Sequence, residues 1–356
     1  MSRIDKLTIT GYKSIAALRD FELGNLNVLI GANGAGKSNF IGLFRMLAEM
    51  AEKRLQLYVQ KQGGPDAILH YTRKVTERIH GAFHFGAELY QFDLTATNDN
   101  RLIFEDEQGK LDGELARGGF RYSGHAESEF GSLTANWPSR PTARDWRVYH
   151  FHDTSESAKV KQAHATNDTL VLKPDGANLA AFLRMLRRDH PAAFARIEET
   201  VQLVAPFFGG FVDRESEAKT VELEWYERRD ADTPLKAHTL SDGTLRFICL
   251  ATLLLQPASL RPATILVDEP ELGLHPYAIE VLGDMLKQAA ECTQLIVSTQ
   301  SVELLNCFEA NDVIVVDRSE DASTFRRLDA GQLAGWLEDY SLGDLWKQNV
   351  LGGRPA

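Results

Sequence analysis

Residues 31–38 read GANGAGKS and match the phosphate-binding loop (P-loop) pattern G-x-x-x-x-G-K-[ST] in full. The apolar run LNVLI at 26–30 comes directly before them, and a segment of helical character begins at Lys37. A strand, a glycine-rich turn and a helix in this order aim backbone N–H groups and the positive end of the helix dipole at a phosphate. A plain glycine-rich turn is the alternative, but the complete motif in this setting favours a nucleotide site on an α/β fold.

The polar groups of this loop have separate expected roles. Lys37 is expected to reach the β and γ phosphates of ATP, and the hydroxyl of Ser38 is expected to bind Mg²⁺. ATP and Mg²⁺ are therefore the cofactors that the loop predicts. The other loop residues expected to contact the nucleotide are Asn33, Gly34, Ala35, Gly36 and Asn39.

A second motif ends another apolar run with two carboxylates. Residues 264–269 read TILVDE, so Asp268 and Glu269 stand where a buried strand is expected to end. Asp268 is assigned to Mg²⁺ through a water molecule, and Glu269 to the orientation or deprotonation of the attacking water. An Asp-Glu pair is common in loops and indicates little alone. Together with a P-loop it indicates nucleotide hydrolysis.

Composition and charge limit the remaining choices. The chain has 356 residues, of which 44% are hydrophobic and 25% charged, and this suits one large α/β domain or two smaller ones. The longest uncharged apolar run, at 247–255, is too short to cross a bilayer, which needs about 20 residues. The N-terminus lacks the apolar core of a signal peptide, so we expect a cytoplasmic protein without a membrane partner. The formal net charge of −11 excludes an overall basic DNA-coating surface but not a local basic patch.

The rest of the sequence separates into regions of different pattern. Strand-like patterns lie before and after the P-loop, and residues 175–204 are mostly helical. From Thr244 onward helices and strands alternate, as in a parallel α/β core. The expected divisions are an N-terminal lobe with the P-loop (1–165), a helical insertion (166–210), a C-terminal lobe with the later motifs (211–340) and a tail (341–356).

Taken together, these motifs resemble the ABC class of ATPases, in the branch of RecF and SMC heads and of the related OLD-type ATPases. Residues 268–275, DEPELGLH, are similar to the Walker B motif and D-loop of that branch, and LSDGT at 240–244 lies where the class has its signature motif. The resemblance covers 1–60 and 235–318 with motifs. It implies an ABC-type P-loop ATPase head with an antiparallel β lobe, a helical insertion and a parallel-sheet core.

The resemblance also implies how two chains cooperate. In the class, two heads enclose two ATP molecules, and the signature motif of one head meets the γ-phosphate on the P-loop of the other. Ser241 and Gly243 are thus expected to contact ATP in trans, within a homodimer formed on ATP binding. A helix N-terminus with free N–H groups and a glycine without a side chain suit a phosphate ligand. The alternative is that Ser241 only caps its own helix.

Three further positions leave two interpretations open. Gln300 stands where the class usually has a histidine at the end of its switch strand, and its amide can hydrogen-bond phosphate or water but cannot carry a proton charge. A catalytic role and a merely polar strand end are both consistent with it. Lys13, in the segment GYKS, resembles a residue beside the nucleotide, with a solvated lysine as the alternative. His152 lies where the class has its Q-loop, and a structural role is favoured over a ligand role.

The expected function is Mg²⁺-dependent ATP hydrolysis coupled to dimerisation. The resemblance implies work in DNA maintenance or anti-phage defence, with DNA reached through a complex. The alternative that the sequence distinguishes least well from this function is an ATP-gated scaffold that regulates a separate effector protein. The ATP subunit of a membrane transporter is disfavoured because the Q-loop glutamine and the switch histidine are missing. A small-molecule kinase is disfavoured by Glu269 and by the LSDGT segment.

Overall fold

The computed structural model describes residues 3–113, 120–130, 146–212 and 218–353. Its helices are α1 (Lys37–Ala51), α2 (Leu55–Lys61), α3 (Leu179–Asp189), α4 (Pro191–Val204), α5 (Asp242–Leu255), α6 (Pro276–Ala290), α7 (Val302–Leu305), α8 (Ala330–Leu337) and α9 (Leu342–Lys347). Its strands are β1 (Lys6–Tyr12), β2 (Ile15–Glu22), β3 (Leu26–Ile30), β4 (Arg78–Phe85), β5 (Glu88–Ala96), β6 (Leu102–Leu111), β7 (Phe120–Tyr122), β8 (Trp146–Tyr149), β9 (His164–Ala165), β10 (Phe208–Phe211), β11 (Thr220–Val221), β12 (Glu224–Glu227), β13 (Asp230–Lys236), β14 (Thr264–Asp268), β15 (Gln294–Ser298), β16 (Val313–Ser319) and β17 (Ala322–Arg327).

The P-loop follows β3, which lies in the middle of a six-stranded sheet with the order β17-β16-β3-β15-β14-β8. Strands β16, β3, β15, β14 and β8 pair in parallel, and β17 runs antiparallel to β16. Central parallel strands are covered on both faces, which explains why every residue of β3 and β15 is buried. This core sheet confirms the expected α/β class. Its order places β15 between the P-loop strand and the strand that ends at Asp268.

Helix α1 lies between the core sheet and a second, antiparallel sheet with the order β2-β1-β4-β5-β6-β7. One cluster of buried side chains joins Phe44 of α1 to residues of both sheets. Ile9 and Phe83 come from the antiparallel sheet, and Leu29 and Ile314 come from the core sheet. The antiparallel sheet therefore holds the helix that begins at the P-loop against the core sheet.

Helices cover the opposite face of the core sheet. Ile265 and Val267 of β14 face this side, whereas Leu266 belongs to the cluster around α1, as the period of two in a strand requires. Helix α5 lies in the middle of this layer, and its residues 245–255 are buried all round. Helix α4 and helix α6 pack directly on it, with α3 and the small sheet β10-β12-β13 behind α4. Only the N-terminal end of α5, near Ser241, reaches the surface.

The helix after the P-loop is interrupted, although the sequence predicts a single helix over 37–57. Helix α1 ends at Ala51, Lys53 has a left-handed φ of 55°, and α2 begins at Leu55. The carboxylate of Glu127 accepts the N–H of Leu55 at 2.7 Å. A residue distant in sequence thus supplies the cap of α2, which local propensity cannot reveal.

The C-terminal part contains elements that the sequence pattern does not predict. Strand β17 extends the core sheet, and α9 lies within the segment 341–356 that is expected to be a tail. Leu345 and Trp346 of α9 are buried in the cluster around α5. Residues 106–145, whose Gly, Ser, Arg and Pro content predicts loops between short strands, lie partly outside the described residues. Among the described parts of the chain, no helix combines the length and apolarity needed to cross a membrane.

Candidate nucleotide-binding site

The P-loop connects β3 to α1 and depends on glycine at two positions. Gly34 has a left-handed φ of 79°, which residues with a side chain rarely adopt. A Cβ atom at Gly36 would lie 2.1 Å from Oγ of Ser323, closer than real atoms approach. Asn33 and Ser38 are exposed on the same loop. The loop can therefore turn its backbone N–H groups toward a phosphate without interference from side chains at these two glycines.

Lys37 is buried at the base of this loop, with 5% of its surface exposed. Its Nζ donates to the carbonyl oxygen of Gly31 at 2.5 Å. Burial lowers the pKa of its ammonium group, whereas the carboxylates of Glu269, Asp268 and Glu271 raise that pKa. The fold thus brings the P-loop lysine within electrostatic reach of both predicted carboxylates, although more than two hundred residues of sequence separate them.

Two serines from other elements hold the P-loop from outside. Oγ of Ser323, on β17, donates to the carbonyl oxygen of Ala35 at 2.5 Å and lies within hydrogen-bond distance, 2.7 Å, of Oγ of Ser14. Nδ2 of Asn39 donates to the same Ser14 hydroxyl at 2.7 Å. The sequence analysis missed Ser323, because its local pattern contains no signal that relates it to a loop near the other end of the chain.

The two predicted catalytic residues, Glu269 and Gln300, are in contact. Glu269 directly follows β14 and has a left-handed φ of 46°. Its N–H donates to the carbonyl oxygen of Ser298 at 2.8 Å, which ties this backbone to the end of β15. Nε2 of Gln300 donates a short hydrogen bond to Oε1 of Glu269. A non-glycine residue with this φ is strained, and such strain is concentrated at functional sites.

A third carboxylate, which the sequence analysis missed, lies behind this pair. Oε1 of Glu271 accepts hydrogen bonds from Oγ1 of Thr299 at 2.6 Å and from the N–H of Gln300 at 3.1 Å. Burial raises the pKa of this carboxyl group. Its Oε2 is buried and finds no hydrogen-bond partner within the described ranges. Glu271 thus fixes the segment after β15 that carries Gln300. The second glutamate of DEPE was the sequence signal that could have identified this carboxylate.

The structure places His152 and Lys13 beside partners that are not part of the P-loop. Nε2 of His152 lies 2.8 Å from the carbonyl oxygen of Asp268, and it donates to that oxygen in the tautomer that carries the proton there. Nζ of Lys13 donates to Oε1 of Gln62, just after α2, at 2.9 Å. Burial lowers the pKa of the Lys13 ammonium group, and the positive charge of Arg45 lowers it further. His152 therefore supports the backbone of Asp268, while Lys13 is directed toward the end of α2.

The LSDGT segment forms the N-terminal end of α5 and packs on the loop after β14. Ser241 is the N-cap of α5, and its Oγ accepts the N–H of Thr244 at 3.2 Å. A Cβ atom at Gly243 would lie 2.4 Å from the carbonyl oxygen of Gly273. Glycine at this position is therefore required for packing within the chain. Ser241 caps α5 and is also exposed, so its role as a cap does not exclude a contact with a second molecule.

Arg246 joins the LSDGT segment to the loop after β14, and it was not predicted from the sequence. It is only 6% exposed, and burial lowers its pKa. Nη1 donates a short hydrogen bond to the carbonyl oxygen of Leu272, Nε donates to that of Phe151 at 2.9 Å, and Nη2 donates to that of His152 at 3.1 Å. This guanidinium ties α5 to the loop after β14 and to the segment after β8. An arginine directly before the apolar run of α5 was the available sequence signal.

The oxygen donors at this edge fit Mg-ATP. The described residues contain no group of three or more His, Cys, Asp or Glu side chains that could hold a metal ion. Mg²⁺ usually keeps several waters and is bound through one or two protein oxygens together with phosphate oxygens. The hydroxyl of Ser38 and the carboxylate of Asp268 are donors of this kind. Oγ of Ser298, at the end of β15, is a further oxygen at this edge, and it is buried without a hydrogen-bond partner in the described part of the chain.

Comparison with protein families by sequence gives a match that spans these elements. The family model described as "AAA domain, putative AbiEii toxin, Type IV TA system" matches residues 26–306. That range includes the P-loop, the LSDGT segment, the two carboxylates after β14 and Gln300. No curated protein matches the sequence.

Two solved structures have a similar fold. One is titled "Crystal structure of the SmcHead bound to the C-winged helix domain of ScpA"; it matches with a TM-score of 0.64 and 14% identity, over 93% of this chain and 99% of that chain. The other is an Smc head domain with an extended coiled coil, bound to the C-terminal domain of ScpA and derived from Pyrococcus furiosus. It matches with a TM-score of 0.64 and 13% identity, over 95% of this chain and 99% of that chain. The expected fold of an ABC-type head is thereby confirmed.

Proposed function

The chain therefore belongs to the AAA-domain family whose model it matches, and on this premise we propose that it binds ATP with Mg²⁺ and hydrolyses it. One observation supports this most directly. Lys37, at the base of the P-loop, lies within electrostatic reach of Glu269, and Glu269 in turn is hydrogen-bonded to Gln300. A phosphate-binding cation and an oriented carboxylate at one edge of a sheet are the groups that hydrolysis of the phosphoanhydride bond between the β and γ phosphates needs.

Binding of the triphosphate depends on the P-loop side of this edge. Nζ of Lys37 exchanges its contact with the carbonyl oxygen of Gly31 for contacts with the β and γ phosphate oxygens. The hydroxyl of Ser38 and, through a water molecule, the carboxylate of Asp268 would hold Mg²⁺, and the ion would supply neutralisation of the phosphate charge. The backbone N–H groups at the start of α1 complete the phosphate site.

Activation of water depends on the side of β14 and β15. Glu269 accepts a proton from the attacking water, and Nε2 of Gln300 holds the carboxylate in place. Glu271 acts through Gln300, because it fixes the backbone of that residue. An amide cannot relay a proton as a histidine can, so we expect slow hydrolysis.

ATP binding is proposed to bring two copies of the chain together head to tail. Ser241 is exposed at the start of α5, and apolar side chains are exposed nearby, with Leu272 of the loop after β14 at 48% and Tyr277 at the start of α6 at 46%. In the dimer, the hydroxyl of Ser241 and the N–H groups at the start of α5 face the γ-phosphate held by the P-loop of the second copy.

The proposed biological role is DNA maintenance or anti-phage defence, with DNA reached through a complex. The second candidate is an ATP-gated scaffold that controls a separate effector protein. Helix α8 favours this candidate, because none of its residues is buried, and Trp336 and Leu337 are 47% and 36% exposed. With Tyr340, at 42%, they form an apolar surface of the kind that binds a protein.

Phosphate release from ATP by the full chain, measured with Mg²⁺ and with excess EDTA, tests the main proposal. Release that requires Mg²⁺, together with a dimer in ATP by size-exclusion chromatography, is the expected result. A chain that binds ATP and dimerises without measurable turnover supports the scaffold candidate. A chain that does not bind ATP contradicts both candidates. Purification of the native complex identifies any bound effector protein or DNA.

A further inference from the structure

The core sheet divides the surroundings of the P-loop into two sides. Strands β15 and β14 lie on one side of β3 and lead to Gln300 and Glu269. Strands β16 and β17 lie on the other side. Under the proposed function, on which this inference rests, the terminal phosphate of the nucleotide meets Glu269. The sugar and the base therefore extend toward the side of β16 and β17.

Three side chains on that side, Tyr71, Arg318 and Asp321, form what we call the Tyr71 wall. Nη1 of Arg318, near the end of β16, donates to the carbonyl oxygen of Gly34 at 3.5 Å. The hydroxyl of Tyr71 donates to Oδ1 of Asp321, in the turn between β16 and β17, at 2.8 Å. The wall therefore stands at the edge of the P-loop and is attached to it through Arg318.

The ring of Tyr71 is exposed but held in position. It is 45% exposed, and the ring of His70 meets it edge to face at a centroid distance of 4.5 Å. Nδ1 of His70 is in turn 2.6 Å from the carbonyl oxygen of Lys13. Tyr71 and Thr72 have left-handed φ values of 55° and 74°, and such conformations persist only where the surrounding structure holds them. A rigid, accessible aromatic ring is suited to stacking on a flat ligand.

We propose that Tyr71 is the platform on which the base of the bound nucleotide stacks, with Arg318 beside the sugar and the α-phosphate. The ligand class is a nucleoside triphosphate, and the Tyr71 wall distinguishes it from inorganic triphosphate. Stacking uses the face of a base and not its edge, so the wall raises affinity for ATP and GTP alike. Since Arg318 contacts Gly34, the base platform keeps a constant spacing from the phosphate site.

Binding of ATP and of inorganic tripolyphosphate to the full chain, each with Mg²⁺, separates the base from the phosphates. Tyr71→Ala is expected to weaken ATP binding about tenfold or more and to leave tripolyphosphate binding unchanged. Tyr71→Phe and Tyr71→Trp keep a ring and are expected to retain ATP affinity. Tyr122→Ala is the matched control, because Tyr122 is 47% exposed on the antiparallel sheet, and it is expected to change neither affinity.

Several results would overturn this assignment. Equal ATP affinity in Tyr71→Ala and the parent chain overturns it and leaves the proposed function intact. A parallel loss of ATP and tripolyphosphate binding also overturns it, because Tyr71 then supports the P-loop and not the base. If Tyr71→Phe loses as much ATP affinity as Tyr71→Ala, the effect belongs to the hydroxyl contact with Asp321. A parent chain that binds neither ligand contradicts the proposed function, and the assignment with it.

Discussion

The P-loop and the LSDGT segment both lead into a helix, but the two helix ends are completed differently. Helix α1 begins after Gly36, which provides no side-chain cap. Helix α5 begins after Ser241, whose hydroxyl accepts the N–H of Thr244. The first N–H groups of a helix need a cap, water or a ligand. The start of α1 thus offers its N–H groups to a ligand, whereas α5 already satisfies one of its own.

The charges around the two helix ends also differ. Lys37 is 5% exposed, and its opposing carboxylates come from the same chain. The side chain of Asp242 is 69% exposed, and Nζ of Lys161 lies 3.7 Å from its carboxylate. One chain therefore supplies both the P-loop lysine and the carboxylates that face it. A contact of LSDGT with a P-loop-bound nucleotide would require a second molecule, and experiments can test this difference directly.

The largest effect is expected on the side of the site that activates water. Glu269→Gln keeps the shape of the side chain but cannot accept a proton, so hydrolysis should fall about 10²- to 10⁴-fold with unchanged ATP affinity. Phosphate release and equilibrium binding measure the two quantities. Glu199→Gln, at an exposed position of α4, is the control. Normal hydrolysis in Glu269→Gln would assign catalysis to another group, such as Gln300.

The next effect concerns the cation of the P-loop. Lys37→Ala removes the charge nearest the β and γ phosphates, and we expect ATP affinity to fall about 10- to 100-fold. Equilibrium binding with Mg²⁺ measures it. Lys287→Ala is the control, because Lys287 pairs with Asp284 at the far end of α6, 2.8 Å away. Equal ATP affinity in Lys37→Ala and the parent chain would refute the P-loop assignment.

Ser241→Arg separates the two roles of the LSDGT segment. If Ser241 contacts the nucleotide of a second copy, the long side chain should block closure and weaken ATP-dependent dimerisation by about tenfold. Hydrolysis should fall in parallel, while ATP affinity of the P-loop should change little. If Ser241 only caps α5, stability should fall by about 1 kcal/mol and hydrolysis per folded molecule should persist. Ser241→Thr keeps the capping hydroxyl and is the control.

Dimerisation is best measured in a Glu269→Gln background, which should hold the closed state. Sizing in saturating Mg-ATP then detects the dimer without turnover. Mixing Ser241→Arg with Lys37→Ala adds a second test, because the pair can form one composite site with both halves intact. Partial recovery of activity supports contact in trans. A monomeric Glu269→Gln chain, together with normal hydrolysis in Ser241→Arg, would leave LSDGT as a helix cap alone.

A smaller effect is expected where LSDGT packs within its own chain. Gly243→Ala places a methyl group against the carbonyl oxygen of Gly273, so the free energy of unfolding should fall by about 1–3 kcal/mol. Urea unfolding measures the change. Gly335→Ala in α8 meets no atom within 4 Å and should leave stability equal or higher. Equal stability of Gly243→Ala and the parent chain would show that the backbone segments at Gly243 and Gly273 move apart at little cost in free energy.

The smallest effect concerns DNA. The formal net charge of −11 gives poor long-range attraction to phosphates, so we expect weak duplex binding by the isolated chain at about 150 mM salt. Fluorescence anisotropy of a labelled duplex over a salt series measures this. Tight binding with a steep salt dependence would reveal a basic surface and would place DNA contact on this chain itself.

The sequence predicted the α/β class, the P-loop and the carboxylates of β14 because each depends on a short contiguous pattern. The spacing of the glycines in GANGAGKS identifies the P-loop from eight neighbouring residues. The apolar run that ends in Asp268 and Glu269 identifies the second motif in the same way. The break after α1 and the strand β17 were not predictable in this way. The first depends on a cap from Glu127, and the second on pairing with β16.

What the sequence determined by itself was which groups are proposed to react and the order of the elements that bear them. Only the tertiary structure decided which groups meet: Gln300 with Glu269, Ser323 with the P-loop, and Arg246 with the loop after β14. It also decided that Gly243 serves packing within its own chain. The physical reason is that burial, hydrogen-bond partners and close contact are properties of residues near in space, whereas a sequence pattern reports only residues near along the chain.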